Sequence, residues 1–137
     1  MAALVLDCSV ALSWFMPDEA GPAADELRMR VTDEGAIVPV LWPIELGNVL
    51  VIAMRSRRVN SGQRAAVLEA LGQLPIEVDA DTLARVWTDT LALADQLRLS
   101  LYDACYLELA QRRRLPLATL DKELRAAARK LDMPLLG

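Results

Sequence analysis

Four acidic residues stand where solubility alone does not explain them: Asp7, Glu45, Asp103 and Asp121. Asp7 closes the apolar run of residues 3–6, and Asp121 follows a second such run, residues 115–118, through Thr119 and Leu120. Glu45 lies between Ile44 and Leu46 in the most apolar window of the chain. Asp103 opens the run Ala104-Cys105-Tyr106-Leu107. Each acid has an ordinary structural account. Asp7 and Asp121 suit helix caps, Glu45 suits a first helical turn, and Ser100 with Asp103 spells a capping box. Together they allow another chemistry, a cluster of oxygen ligands. Two carboxylates about 5 Å apart repel by roughly 3 kcal/mol at an effective dielectric near 20, so three or four in one place need protonation or a cation. Histidine is absent, which removes imidazole bases, histidine-based triads and mixed Cys/His zinc sites. A metal held by this chain has to be a hard one, such as Mg2+ or Mn2+.

For the acids to meet, the elements that carry them must end at one edge. Residues 3–6, 36–41, 76–78 and 115–119 read as short buried strands, with 133–136 as a final edge strand. Between them the spacing predicts helices. Residues 9–16 form a short one halted by Pro17. A second opens at Asp18 or Glu19, carries Ala20, Ala24, Leu27 and Val31, and stops at Gly35. The next, from Ile44 to about Arg57 with Pro43 in its first turn, is apolar nearly all round and is expected to be buried on more than one side. Asn48, three residues after Glu45, shares its face. Val67, Leu68, Leu71 and Leu74 mark a further helix ended by Pro75. One long helix is expected after Asp79–Asp81, with Leu83, Val86, Trp87, Thr90, Ala94 and Leu97 on one face. Ser100 caps another, and Leu124, Ala127, Ala128 and Leu131 mark the last. Strands alternating with helices predict a parallel α/β/α sandwich, whose carboxyl edge is where ligands gather.

The chain has 137 residues, 54% of them hydrophobic, and a mean hydropathy of +0.25. That length suits one domain over residues 1–137 with a sizeable core. No apolar stretch approaches the ~20 residues of a membrane span, and the N-terminus carries no secretory signal pattern. Cys8 and Cys105 make no CxxC pair, which fits a reducing cytoplasm. The surplus of apolar residues points to a subunit or partner interface. A net charge of −4 is unfriendly to nucleic acid overall, yet the bases are grouped: Arg55, Arg57 and Arg58, then Arg112, Arg113 and Arg114, with Lys122 beside Asp121. Their ordinary role is to complement helix carboxyl ends. Trp14 and Phe15 are read as core residues, with a groove role as the alternative.

Four motifs in order, Leu6-Asp7-Cys8-Ser9, Pro43-Ile44-Glu45-Leu46-Gly47-Asn48, Leu101-Tyr102-Asp103-Ala104-Cys105-Tyr106-Leu107 and Ala118-Thr119-Leu120-Asp121, resemble those of the PIN-domain ribonucleases. Within them the closest likeness is to VapC-type toxins of VapBC toxin–antitoxin pairs. The resemblance spans the whole chain and implies a PIN-like three-layer sandwich with a short parallel sheet. It implies an endoribonuclease that uses Mg2+ or Mn2+. It maps the acidic quartet onto Asp7, Glu45, Asp103 and Asp121, and polar support onto Ser9, Asn48 and Thr119. Asp7, Asp103 and Asp121 would be direct metal ligands, and Glu45 would orient the attacking water. RNA would meet the arginine groups and Lys122 at the rim. A homodimer and a VapB-type antitoxin, with no membrane, complete the implied partners. The alternatives are an RNA-processing nuclease outside a toxin–antitoxin pair and a catalytically inactive PIN-like binding module. A receiver domain fits less well, since it wants adjacent acids after the first strand. A haloacid-dehalogenase-type phosphatase wants an aspartate where Ser9 stands.

Overall fold

The structure, a computed structural model, describes residues 2–16, 19 and 21–137. Among these the chain runs β1 (Val5–Leu6), α1 (Cys8–Ser13), α2 (Pro22–Glu34), β2 (Ala36–Val38), α3 (Trp42–Arg55), α4 (Ser61–Gly72) and β3 (Ile76–Val78). It continues through α5 (Thr82–Arg85), α6 (Asp89–Leu97), α7 (Leu101–Arg113), β4 (Leu117–Ala118), α8 (Lys122–Lys130) and β5 (Leu135–Leu136). The strands lie in the order β3-β2-β1-β4-β5, every neighbouring pair parallel.

Parallel neighbours need crossovers, and these are right-handed. From β1 to β2 to β3 the chain steps one way and lays α1–α4 on one face. From β3 to β4 to β5 it steps back and lays α5–α8 on the other. The packing agrees: α1 meets α2 and α3, α3 meets α4, while α6 and α8 both meet α7. This is the three-layer α/β/α sandwich expected from the sequence. The central strands are covered on both faces, so they are apolar throughout rather than alternating. Leu4, Val5, Leu6, Ile37, Val38, Leu117 and Ala118 have no accessible surface, and burying each larger side chain contributes about 1.5–3 kcal/mol. Trp14 lies in this core, and half-buried Phe15 carries the Arg28 guanidinium 4.9 Å from its ring centre.

Several local expectations shift. The second helix begins at Pro22, because Gly21-Pro22 supplies the cap position and a preset first turn; Pro17, Asp18 and Ala20 lie outside the described residues. Gly35 ends that helix at φ 83°, a conformation that favours glycine. β2 stops at Val38, since the carbonyl of Pro39 already accepts from Trp42 N–H at 3.0 Å in the turn that opens α3. α3 itself is corrected most. It buries only the face of Trp42, Leu46, Leu50 and Ala53, leaving Ile44 at 74% and Ile52 at 54% exposure. The long helix expected after residue 81 is two helices. Thr88 donates both its N–H and its hydroxyl to Arg85 O, which closes α5 off and resets the register. Leu83 and Trp87 therefore face solvent, and Thr90, Leu93 and Ala94 face the core.

Candidate functional site

β1 and β4 are neighbours at the centre of the sheet, and the chain leaves them to opposite faces, through α1 and through α8. Such a reversal opens a crevice at the carboxyl edge. Asp7 is the first residue past β1, and its N–H is pinned to Ala118 O at 3.0 Å. It occupies the cap position of α1, yet its side chain bonds none of that helix's N–H groups. Instead the buried carboxylate accepts at Oδ2 from the Ser9 hydroxyl and the Thr119 hydroxyl, each at 2.7 Å. These are short charge-assisted bonds. The same hydroxyl oxygens accept from Leu120 N–H and Asp121 N–H, each at 3.0 Å. Two loops thus converge on one carboxylate oxygen, and each bond polarises the next.

Asp121 does cap its helix: Oδ1 accepts from Glu123 N–H at 2.8 Å and Leu124 N–H at 3.1 Å. For this residue the ordinary account holds, and the exposed side chain still reaches Asp103 electrostatically. Asp103 lies in the first turn of α7, its N–H held by the Ser100 hydroxyl at 3.1 Å. Burial raises the pKa of its carboxyl, and the charges of Asp121, Asp7 and Glu123 raise it further against the opposing Ser100 bond. Glu45, in the first turn of α3, is also raised. Burial is the largest cause, the Tyr106 hydrogen bond opposes it, and Asp7 and Asp103 add to it. The four acids therefore share one field around Asp7.

This donor set, carboxylates and hydroxyls without imidazole, has the chemistry a hard divalent cation takes. Among the described residues no three Asp, Glu or Cys side chains are close enough to grip one ion together. The polar residues expected beside the acids divide. Ser9 and Thr119 touch Asp7 directly, whereas Asn48 is exposed one turn beyond Glu45.

The basic residues divide as well. Lys122 is exposed next to Asp121. Arg55 lies ten residues along α3 from Glu45, about 15 Å of helix rise, and Arg57 and Arg58 follow the helix end. Arg112 is a correction: it is not an open rim residue. Its guanidinium bonds Asp79 at 2.7 and 3.2 Å and Glu108 at 2.8 and 3.1 Å, a partly buried clamp from α7 to the end of β3. Burial pushes the Asp79 carboxyl up, but the bonds from Arg112 and Thr82 outweigh it and hold the carboxyl below the usual range. Arg113, with Glu77 at 3.9 Å, and Arg114 sit at this far end of α7.

Sequence reasoning missed Tyr106, whose hydroxyl donates to Glu45 Oε1 at 2.8 Å and lies 3.8 Å from the Cys8 sulfur. The available signal was its spacing, three residues after Asp103 and hence on the same helix face. It also missed Arg125, which donates to Thr119 O at 2.7 Å and Leu136 O at 3.2 Å and ties the ends of β4 and β5 together. Nothing local announces that contact, because it depends on where β5 docks. A cleft of about 500 Å³ lined by Ala2, Gly35, Pro75 and Glu77 opens at the amino ends of the strands, away from all four acids. No described helix is long and apolar enough to cross a membrane.

The fold is similar to that of PAE2754 from Pyrobaculum aerophilum, with a TM-score of 0.65 at 23% identity over 93% of this chain and 87% of that one. No curated protein matches the sequence. The PIN domain model matches residues 4–130, nearly the whole chain, and PIN domains are typically nucleases that use divalent metals such as Mg2+. The chain belongs to the PIN-domain family.

Proposed function

We propose that this chain is a metal-dependent endoribonuclease, acting as the toxin of a VapBC-type toxin–antitoxin pair in the cytoplasm, with residues 1–137 as one domain. The observation that carries the nuclease reading is Asp7. Its carboxylate is buried, caps nothing, is fixed by two hydroxyls, and raises the pKa of both Glu45 and Asp103. A purely structural aspartate at this position would spend its charge on the N–H groups of α1.

Asp7, Asp103 and Asp121 would hold Mg2+ or Mn2+, with Glu45 beside them. Asp7 is held by two hydroxyls, Asp121 by the N–H groups of α8 at one oxygen and Glu45 by the Tyr106 hydroxyl at one oxygen, which leaves the second oxygen of Asp121 and of Glu45 for a ligand. Such an ion, when bound, supplies an activated water and offsets charge on the phosphate. Glu45, its pKa raised by burial and by the charges of Asp7 and Asp103, is suited to take a proton from the attacking water at its carboxylate. Ser9 and Thr119 hold the Asp7 carboxylate in place. Lys122 is positioned to meet a phosphate, and Tyr102, 68% exposed beside Asp103, offers a face on which a base can stack. The arginines at the far ends of α3 and α7 are reached only by RNA extending well beyond the scissile bond.

The partner readings rest on the apolar surface. Thr82, at the start of α5, accepts from Val40 N–H at 3.3 Å just before α3. Ile44 and Ile52 on α3, and Leu83 and Trp87 at and after α5, are exposed, apolar surface suited to a second copy. An antitoxin segment carrying arginine would pair with the carboxylates and compete for the cation's place. The test is direct. Purified protein should cut structured RNA with Mg2+ or Mn2+ and stop with EDTA, and 5′-end mapping after induction should show discrete sites. Absence of cleavage with either metal refutes the nuclease, and growth unaffected by induction refutes the toxin.

A further inference from the structure

The phenol of Tyr106 joins three separate segments at one oxygen. Tyr106 is 1% exposed and stands on α7, three residues past Asp103. Its hydroxyl donates to Glu45 Oε1 on α3 at 2.8 Å. The Cys8 sulfur, one residue past Asp7, lies 3.8 Å from the same oxygen and 3.5 Å from Trp42 O. The phenol has one proton, and Glu45 takes it; the thiol also has one, shared between Trp42 O and the phenol oxygen. Burial first, then the charges of Cys8, Glu45 and Asp7, push ionisation of the phenol far above its usual range. Burial likewise pushes the Cys8 thiol up to about 12.

We propose that Tyr106 is a positioning residue for Glu45, fixing the plane of its carboxylate by holding Oε1, with the Cys8 thiol seating the phenol. The proposal rests on the nuclease reading for its consequence, since an oriented Glu45 matters only if Glu45 serves the acidic cluster. The geometry argues against a packing role alone. A tyrosine kept only for its ring has no need of a carboxylate that burial already penalises, and phenylalanine would fill the same volume without a polar atom. Partners that orient a ligating or catalytic carboxylate typically contribute about 10–100-fold to metal affinity or activity.

The experiment is a double-mutant cycle on the full chain with Tyr106→Phe and Glu45→Gln, reading Mn2+ affinity by calorimetry alongside cleavage of a quenched fluorescent RNA. Tyr106→Phe should reduce Mn2+ affinity or kcat about 10–100-fold with the RNA KM unchanged, and should change nothing further in the Glu45→Gln background. An equal loss in both backgrounds, or none in either, overturns the proposal. If Tyr106→Phe does not fold, Glu45→Asp replaces it: the shortened carboxylate leaves the phenol's reach and must show the same loss, and wild-type behaviour there overturns the proposal. Mn2+ affinity needs no turnover, so the two readings fail separately. A wild type that binds Mn2+ but cuts no RNA defeats the nuclease and leaves Tyr106 to the affinity cycle. One that binds no Mn2+ defeats both.

Discussion

Replacing Asp7 separates charge from shape. In Asp7→Ala the hydroxyls of Ser9 and Thr119 lose their shared acceptor, and Thr119 has no accessible surface. An orphaned buried hydroxyl costs about 1–3 kcal/mol, and no cap bond is lost because none exists. The expected destabilisation is about 2–3 kcal/mol, most of it from Thr119, since Ser9 is half-buried and open to water. In Asp7→Asn the amide oxygen can accept both bonds, each weakened from charged to neutral strength, roughly halving it. Removing a buried like charge beside Asp103 and Glu45 offsets that loss, so Asp7→Asn should stay within about 1 kcal/mol of wild type. For a chain of this length each kcal/mol moves Tm by about 3–5 °C. Thermal melts by circular dichroism should therefore rank wild type and Asp7→Asn together and Asp7→Ala several degrees lower. Both variants should lose at least about 100-fold in metal-dependent RNA cleavage, since a direct ligand should matter no less than an orienting partner. Two results refute the reasoning. Full activity of Asp7→Asn removes Asp7 from the chemistry, and equal melting of the two variants removes the hydroxyl cradle.

Other outcomes follow from the same geometry. Asp103→Asn should raise Tm at neutral pH while abolishing cleavage, because it relieves repulsion from Asp121 and Asp7; a lower Tm contradicts the shared field. Arg112→Met should cost about 3–5 kcal/mol by leaving Asp79 and Glu108 buried without a cation, read as a urea midpoint, and should leave RNA binding unchanged. The Asp79 carboxyl is held low, so its contribution is complete above its ordinary value of 3.8 and is lost as pH falls below that. Asp79→Asn should accordingly weaken the protein at pH 7 and flatten the acid limb of its stability curve below about pH 4. Ile52→Glu should leave the melt intact and convert a dimer to monomer in sedimentation; an unchanged mass removes α3 from the interface.

The acids of the proposed site are legible in the sequence because each is a charge out of place. Asp7 after an apolar run and Asp103 ahead of a buried one stand against the local hydrophobic pattern. The layered architecture is legible for a related reason: short apolar runs alternate with helical periods, and parallel strands buried on both faces cannot hide. The errors fall where the outcome depends on partners elsewhere in the chain. A helix that is apolar all round, such as α3, is read as doubly buried, because composition cannot tell a core face from an exposed one. The break at Thr88 turns on two hydrogen bonds to Arg85 O, with no glycine or proline to mark it. Arg112 reads as a rim charge beside Arg113 and Arg114, and its commitment to Asp79 spans 33 residues.

The capping account and the proposed catalytic account of the acids describe one arrangement. Asp7 stands at the cap position of α1, Glu45 in the first turn of α3, Asp103 in the first turn of α7 and Asp121 at the cap of α8. Each acid lies at the amino end of a helix, where the macrodipole favours negative charge by about 0.3–1 kcal/mol. A parallel sheet with right-handed crossovers brings the amino ends of α1, α3 and α8 to the carboxyl edge, because each starts where a strand has finished; α7 follows α6 instead, and its Asp103 lies within electrostatic reach of Asp7 and Asp121. The fold thus supplies partial positive charge where the carboxylates collect, and this offsets part of a repulsion of about 3 kcal/mol per close pair. What remains uncompensated is the raised pKa of Glu45 and Asp103. On the proposed nuclease reading, that unbalanced negative charge is what a divalent cation would neutralise.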